Sequence, residues 1–169
     1  MQNKKNLNFV GNISYITEMA LAANVQIKNK RAHFEYHILD TYIAGIRLLG
    51  TEIKSVRESK VNINDSFCTF FDDGLYIRNM HIAEFSHGSF YNHEAKRDRQ
   101  LLLTKKELKK LRVKGEEKGF TIVPLRLFIS ERGFAKVEIA LAQGKKDFDK
   151  RDTIKDRDLK RELGRSVKI

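Results

Sequence analysis

The sequence predicts a mostly β protein, in which a small antiparallel barrel carries short flanking helices and is followed by a basic C-terminal tail. Runs rich in β-branched and aromatic residues dominate the middle of the chain, and turn residues separate them. Only two stretches show the spacing of amphipathic helices. Because a barrel, closed or partly open, leaves few unpaired strand edges, it is the economical way to bury this pattern.

The composition bounds the size and the partners of the protein. Its 169 residues suit one domain with additional segments, and 41% hydrophobic residues suffice for a core. Lys and Arg number 33 against 22 Asp and Glu, which gives a formal charge of +11. Such a charge attracts polyanions, with nucleic acid as the first expectation and an anionic membrane as the second. The alternative is a basic protein that binds no particular partner.

The chain lacks the marks of a disulfide-stabilised or membrane-spanning protein. Its single cysteine, Cys68, excludes an internal disulfide, and no apolar run approaches the roughly 20 residues needed to cross a bilayer. Both features fit a cytoplasmic protein without a membrane partner. Residues 1–27 are expected to form a disordered extension, because their middle is too polar for a signal peptide. Met19 is an alternative start.

The first strand and the first helix are expected directly after this extension. Alternating apolar and polar residues over 33–38 predict a half-buried strand, and Gly45 predicts a bend or bulge further along. Residues 51–60 have the spacing of a short helix. One face of that helix is expected to be cationic, formed by Lys54, Arg57 and Lys60.

A hairpin and a basic loop are expected next. Aromatic and β-branched runs flank Asp72-Asp73-Gly74, a combination typical of a tight turn. Residues 86–100 are polar and rich in cations, which predicts an exposed loop.

A second helix and a second hairpin complete the domain. The helix is expected over 104–119, because Thr104 and Glu107 have the spacing of a capping box. Two further strands, TIVPLRLFIS and GFAKVEIALAQG, are separated by a turn at 131–133. Pro124 within the first of them predicts an edge strand or a bulge. No internal repeat or second core is visible, so the domain is expected to span 28–144.

The C-terminal residues 145–169 contain few apolar residues and cannot bury enough surface to fold alone. In a helical form they would carry one cationic stripe, made of Arg157, Arg161, Arg165 and Lys168. A segment that is disordered when free and folds along RNA phosphates has this composition. The alternative is a merely solvated tail. Phe148 favours recognition, because an aromatic ring without a core to join is suited to stacking on a base.

The loop ahead of the second helix is another candidate for RNA recognition. Cations cluster there around Asn92 and His93, namely Lys96, Arg97, Arg99, Lys105 and Lys106. Arginine binds phosphate through two parallel hydrogen bonds, and asparagine reads base edges. The alternative is an ordinary solvated loop that leads into a helix.

The sequence contains no motif that predicts an enzyme. The spacings of His33, His37, His81, His87 and His93 match no set of metal ligands, and no triad or phosphate-binding glycine loop appears. Cys68 lies in an apolar run and is expected to pack in the core. We therefore expect no catalysis, no cofactor and no metal. A metal-dependent nuclease is the rival from a different functional class.

Four ordered blocks resemble one known family. The blocks NKRAHFEY, IAGIRLLGTEIKSVRESKVNINDSF, NHEAKRDRQLLLTKKEL and KKDFDKRDTIKDRDLKRE are similar to the signatures of small protein B, the bacterial SsrA-binding family. The resemblance covers about residues 27–163. It implies an oligonucleotide-binding-type (OB-type) barrel that grips the tRNA-like domain of transfer-messenger RNA. It also implies entry into stalled ribosomes with elongation factor Tu, bound indirectly through the RNA, and tagging of the incomplete protein.

The resemblance also implies particular contacts. The tail is expected to become helical in the empty decoding centre and mRNA channel, against 16S rRNA. RNA contacts are implied for Asn29, Lys30, Arg31, Glu52, Lys54, Arg57, Lys60, Asn62, Asn92, His93, Arg97, Arg99, Leu102 and Lys105. Ribosomal contacts are implied for Lys145, Lys146, Phe148, Asp149, Lys150, Arg151, Lys155, Arg157, Lys160 and Arg161.

The chain departs from the family pattern at a few positions. Ile43 stands where the family often has a glutamate linked to RNA binding, so that contact is expected to be lost or replaced. Ala95 replaces a proline, which predicts a looser loop, and Leu159 replaces a tail tryptophan. Two rivals bind RNA differently. They are a general single-stranded RNA-binding barrel, which predicts exposed aromatic residues on one barrel face, and a structural ribosomal protein.

Overall fold

A computed structural model describes residues 25–71, 74–88, 91–146, 149–151, 154–155 and 163. Nine strands and three helices have their bounds within these residues, and residues 149–151 and 154–155 are also helical. The strands are β1 (Gln26–Lys28), β2 (Tyr36–Ile46), β3 (Val61–Asn62), β4 (Phe67–Phe71), β5 (Gly74–Arg78), β6 (His81–Ile82), β7 (Arg99–Leu102), β8 (Phe120–Ile129) and β9 (Ala135–Gly144). The helices are α1 (Ala32–Glu35), α2 (Gly50–Arg57) and α3 (Lys105–Gly115).

Six strands form a closed antiparallel ring in the order β8-β4-β5-β7-β2-β9. The ring closes because β8 pairs with β4 on one side and with β9 on the other. β1 adds to β8 outside the ring, and β3 pairs with β6 in a separate two-stranded ribbon. The mostly β, antiparallel barrel expected from the sequence is confirmed. Its OB-type classification stays a prediction.

Alternate residues of the strands fill the interior of the barrel. In β5, Leu75 and Ile77 have no exposed surface, while their neighbours along the strand face outward. Leu127, Ile139 and Leu141 contribute the same kind of side chain from β8 and β9. This alternation follows from the two-residue period of a strand, and it separates a dry core from an outer sheet face that remains available for contacts.

Several predicted elements are present. β4 and β5 form the first hairpin, although Asp72 and Asp73 lie outside the described residues. Thr104 caps α3. Its hydroxyl accepts from the backbone N–H of Glu107, and in return the Glu107 carboxylate accepts from the backbone N–H of Thr104. β8 and β9 form the second hairpin, and the pairing shifts register just after Pro124, as a bulge requires.

The structure corrects the prediction at the start of the domain. Ala32–Glu35 is a helical turn rather than a strand, because the side-chain oxygen of Asn29 accepts from the backbone N–H groups of Arg31 and Ala32. The extended pattern begins only with β2. Gln26 and Ile27 belong to β1 and pair with β8, although the composition places them in the N-terminal extension.

The first long helix is shorter than its pattern predicts. α2 ends at Arg57, and Ser59 adopts a left-handed conformation with φ of 58°. Lys60 therefore lies beyond the helix and does not share its cationic face with Lys54 and Arg57. Its backbone N–H donates to the carbonyl of Ser55, which turns the chain towards β3.

Candidate nucleic-acid interface

A buried carboxylate joins α2 to the loop that precedes β7. Glu52 has no exposed surface, and its two oxygens accept from Arg97 at 2.5 and 2.8 Å. Oε1 also accepts from Nε of Arg99 at 2.8 Å, and Oε2 accepts from the backbone N–H of Leu49 at 2.6 Å. One carboxylate thus links the N-terminus of α2 with two arginines from a distant part of the chain.

Four hydrogen bonds within the protein hold the Arg99 guanidinium. Besides Glu52, its guanidinium donates to the carbonyl oxygens of Met80, Arg97 and Ala95 at 2.7, 2.8 and 3.0 Å. Its side chain has no exposed surface. The structure therefore does not support the direct RNA contacts expected for Arg99 and Glu52, because neither side chain reaches solvent. Arg97 remains partly exposed while it is paired with Glu52.

The Glu52 carboxyl stays ionised in this buried setting. Burial raises its pKa, but hydrogen bonds from Arg97 and from the Leu49 backbone N–H, together with the charges of Arg99 and Arg97, outweigh burial and hold the pKa below its ordinary value. Burial lowers the pKa of Arg99, and the charge of Glu52 opposes that change. An arginine remains protonated at physiological pH. The site is thus a buried ion pair, and removal of one partner would leave the charge of the other uncompensated.

Asn92 and His93 hold the same loop by contacts within the protein. The Asn92 amide accepts from the backbone N–H of Phe85 at 3.2 Å and donates to its carbonyl at 2.9 Å. The ring nitrogens of His93 lie 2.9 Å from the Thr51 hydroxyl and 3.2 Å from the Ile82 carbonyl. Only 4% of His93 is exposed. The expected direct RNA contact is therefore unsupported for His93, and the amide of Asn92 is largely engaged.

The loop is also fixed where the family pattern has a proline. The Ala95 carbonyl accepts from the backbone N–H of Ile82 at 3.0 Å and from Arg99. On the other side of the ribbon, the N–H of Ala83 donates to the Lys60 carbonyl at 3.0 Å. These bonds place the loop, β6, β3 and the end of α2 along one continuous edge, and they hold the loop in place without a proline ring.

The first signature block meets the end of this edge. Asn29 is 5% exposed, and its amide donates to the carbonyls of Pro124 and Ile63. It therefore anchors the chain and is not free to read a base. Arg31 is exposed and pairs with Asp65 at 2.8 Å. The Asn62 side chain accepts from the backbone N–H of Asn64. Lys30 lies beside them at the surface.

The exposed cations of this edge are those best placed for phosphates. Lys54 lies 5.0 Å above the Phe85 ring, and no described acidic group pairs with it or with Arg57. Lys60 pairs with Glu58 at 2.7 Å on an exposed surface, where such a pair is weak. Lys105 is exposed at the start of α3. Pairing with phosphate needs this kind of solvent-exposed cation.

An apolar face on the outside of the barrel was only partly anticipated. Leu102 and Ile43 are 55% and 53% exposed, and Leu102 packs over Gly45, where an added Cβ would lie 3.3 Å from the Leu102 Cβ. The same face continues onto Phe67 and Phe71 of β4, two residues that no motif in the sequence marks as functional. The alternation of β4 is the signal that marks them, because Cys68 between them is buried.

Six of the ten expected tail contacts fall on described residues. The Lys145 ammonium donates to the His33 carbonyl at 3.1 Å, and the Asp149 carboxylate accepts from the backbone N–H of Lys146 at 3.1 Å. Residues 149–151 and 154–155 are helical and include Lys150, Arg151 and Lys155. The remaining positions expected to contact the ribosome, and Leu159, lie outside the described residues: Phe148, Arg157, Lys160 and Arg161.

The described residues contain no group of three or more His, Cys, Asp or Glu side chains placed to hold a metal ion. Cys68 is buried, and burial raises the pKa of its thiol, which disfavours the reactive thiolate. Within the same part of the chain, no helix is long and apolar enough to cross a membrane.

Comparison with known proteins accounts for nearly the whole chain. The family model described as SmpB protein matches residues 26–169. An SsrA-binding protein of Parabacteroides distasonis is 55% identical over 148 residues, which cover 88% of this chain and 97% of the relative. One from Flavobacterium psychrophilum is 58% identical over 144 residues, covering 85% and 96% respectively.

A solved structure also matches the fold of this chain. A chain of the structure described as "tmRNA-SmpB: a journey to the center of the bacterial ribosome" superposes with a TM-score of 0.62 at 49% identity. The match covers 73% of this chain and 86% of the solved one. On the family model, the relatives and this structure together, the chain belongs to the SmpB protein family.

Proposed function

We propose that the protein binds the tRNA-like domain of transfer-messenger RNA and delivers it to stalled ribosomes for trans-translation. The observation that carries this proposal is the match of residues 26–169 to a family whose relatives are SsrA-binding proteins. The solved structure of similar fold, whose description names transfer-messenger RNA and the ribosome, supports both partners.

The geometry suggests how the domain divides the work of RNA binding. The buried residues Glu52, Arg99 and His93 position the loop, and the exposed residues Lys54, Arg57, Lys30, Lys60 and Lys105 supply positive charge for phosphates. Phosphate contacts position a protein on RNA without reading sequence. We call the surface that carries these exposed cations the cationic edge. Specificity for a folded RNA then comes from the shape of the cationic edge and from the apolar face around Leu102.

The finer steps belong to the same proposal. The protein acts as an adaptor without catalysing a reaction, and it meets elongation factor Tu only through the shared RNA. Residues 145–169 carry ten cations against six carboxylates, a composition that suits folding along the rRNA of the decoding centre and mRNA channel. Because bacterial ribosomes work in the cytoplasm, the proposal places the protein there.

Competitive binding at physiological salt tests the proposal. The full-length protein is bound to labelled tRNA-like domain of transfer-messenger RNA and challenged with unlabelled elongator tRNA and with a plain RNA hairpin. The expected result is competition by the cognate RNA at concentrations at which the other two are ineffective. Equal competition by all three would leave only charge-driven binding and would contradict the proposal.

A second candidate function has one observation in its favour. A general single-stranded RNA-binding barrel should expose aromatic side chains on one face, and Phe67 and Phe71 are 43% and 45% exposed on β4. This candidate predicts that an unstructured oligonucleotide competes as well as the tRNA-like domain. Adding that oligonucleotide to the competition series separates the two functions.

The exposed cations of α2 give a quantitative prediction. Lys54→Gln and Arg57→Gln should each reduce the slope of log affinity against log salt by about 0.7–0.9, since each removes one phosphate contact. Affinity for the tRNA-like domain is measured between about 50 and 200 mM salt. Arg132→Gln is the matched control, because Arg132 is an exposed cation that belongs to the turn between β8 and β9 and not to α2. An unchanged slope would remove Lys54 or Arg57 from the interface.

A further inference from the structure

The outer face of β4 and β5 carries aromatic side chains that the core does not use. Phe67 and Phe71 are 43% and 45% exposed, whereas Cys68 of the same strand and Leu75 and Ile77 of its neighbour are buried inside the barrel. The core is therefore already filled from the other side of the sheet. Two large rings remain in partial contact with water, which costs free energy unless a partner covers them.

The pairing of the two strands brings further groups to this face. Phe67 lies opposite Arg78, Thr69 opposite Tyr76 and Phe71 opposite Gly74. The Phe71 and Tyr76 rings meet edge to face, with their centroids 5.4 Å apart at 81°. Because Gly74 has no side chain, nothing on β5 stands directly across from Phe71, and its ring is left accessible.

One arginine borders the Phe71 ring, and a second lies at the end of the same strand. The guanidinium of Arg78 lies 5.6 Å from the Phe71 centroid and is oriented by Asp98 at 3.1 Å. Arg112 of α3 donates to the Phe71 backbone carbonyl at 3.3 Å, but the ring that it approaches, at 5.1 Å from the centroid, is that of Phe70, which packs against the core. Cations beside open aromatic rings suit a partner that is both flat and anionic. A nucleotide of RNA combines a flat base with a phosphate.

The face is continuous with the part of the barrel that the proposed function already uses. Tyr76 lies opposite Gln100 of β7, two residues before Leu102, so the aromatic rings and the exposed Leu102 occupy adjoining strands on one side of the sheet. Ile43 of β2 extends the same side beyond Leu102. RNA gripped at Leu102 therefore has the rings within reach.

We propose that Phe67, Phe71 and Tyr76 form an aromatic platform that stacks unpaired bases of the bound RNA. The bases must be unpaired, because a double-stranded stem keeps its base faces inside the helix. The inference rests on the proposed function, since it takes the RNA of that function as the occupant. It adds a stacking site to the cationic edge and assigns it to single-stranded loop nucleotides.

Substitutions that keep an apolar side chain but remove the ring test the platform. Phe71→Leu and Phe67→Leu should each weaken binding of the tRNA-like domain of transfer-messenger RNA at least about fivefold, the lower end of the range for a stacked base. Phe134→Leu is the matched control, because Phe134 is 66% exposed near the turn between β8 and β9. Phe71→Tyr keeps a ring and should retain affinity.

A fluorescent reporter separates stacking from a structural effect. The chain contains no tryptophan, so Phe71→Trp places a single, selectively excitable tryptophan on the platform and Phe134→Trp places one outside it. Binding of the same RNA should quench the emission of the first and leave that of the second unchanged. A change in tryptophan emission that is caused only by altered folding would already appear in the free protein and would not depend on added RNA.

The outcomes distinguish the two proposals. Weaker binding by Phe71→Leu together with quenching in Phe71→Trp supports the platform. Wild-type affinity in both leucine variants, without quenching, overturns the platform and leaves the proposed function standing; the face then serves another partner. Failure of the wild-type protein to bind the RNA at all overturns both.

Discussion

Glu52→Ala is expected to lower the free energy of unfolding by about 3–5 kcal/mol, the usual cost of removing one partner of a buried ion pair. Glu52 and Arg99 have no exposed surface. Without the carboxylate, the Arg99 charge stays buried among backbone carbonyls that cannot neutralise it. The Leu49 backbone N–H also loses its acceptor at the start of α2.

Urea denaturation followed by circular dichroism measures this loss. Glu58→Ala is the matched control, because Glu58 has the same side chain but pairs with Lys60 on an exposed surface, where a salt bridge is worth about 0–1 kcal/mol. A loss for Glu52→Ala no larger than that of the control would show that Arg99 finds another partner or water, and the buried network would then not carry the stability assigned to it.

The same carboxylate predicts a dependence of stability on pH. The folded-state pKa of Glu52 lies below its ordinary value, so folding favours the ionised form. The resulting stabilisation is fully present above the unfolded pKa of about 4.3 and is lost as the pH falls through the folded-state value. The difference in stability between the wild type and Glu52→Gln should therefore be constant near neutral pH and shrink below about pH 4. A difference that grows on acidification would contradict the direction of the shift.

This network changes how substitutions in the loop are to be interpreted. A variant at Arg99 or Glu52 that loses RNA binding will have lost the anchoring of the loop as well, so its binding defect does not identify a contact. Arg97 is intermediate, since it is partly exposed while two of its nitrogens hold Glu52. Lys54 and Arg57 are cleaner probes, because no described acidic group depends on them.

The elements that the sequence predicts well are those decided by neighbours in the chain. The capping box of Thr104 and Glu107 is a local pattern, and so is the alternation that places Leu75 and Ile77 inside the barrel. The structure at the start of the domain depends on a contact with a distant part of the chain. Asn29 caps the helical turn that follows it, and its amide donates to the Pro124 carbonyl, 95 residues away. The local alternation over 33–38 carries no trace of that distant contact, so it predicts a strand.

The candidate site depends even more on contacts between residues that are distant in the chain. Arg97 and Arg99 lie in a polar run, and such runs are usually solvated. Both arginines are instead held by Glu52, which is 47 residues from Arg99 in the chain, and Arg99 is fully buried. No pattern within the loop marks that pairing, so arginines that position the loop resemble arginines that contact phosphate. The exposed rings of β4 are the reverse case, because strand alternation marks them once the buried neighbours are known.

Deleting the residues after Gly144 is expected to abolish tagging of incomplete proteins while sparing binding of the tRNA-like domain. The barrel should survive, because β9 ends at Gly144 and the last of its buried apolar residues is Ala142. The deleted part begins with Lys145, whose contacts to the carbonyls of His33 and Glu35 lie outside the barrel interior. The cationic edge and the apolar face remain in the truncated protein.

The measurements are affinity for the RNA at physiological salt and tag addition in a reconstituted translation reaction on an mRNA without a stop codon. A protein with a scrambled tail of equal composition is the control. It preserves the ten cations and six carboxylates but destroys the spacing that would align Arg161, Arg165 and Lys168 in a helical form, so it should bind RNA and fail to tag. Tagging by the protein with the scrambled tail would show that the charge of the tail alone suffices for tagging. Loss of RNA binding in the deletion variant would show that the tail and the barrel do not have separate tasks.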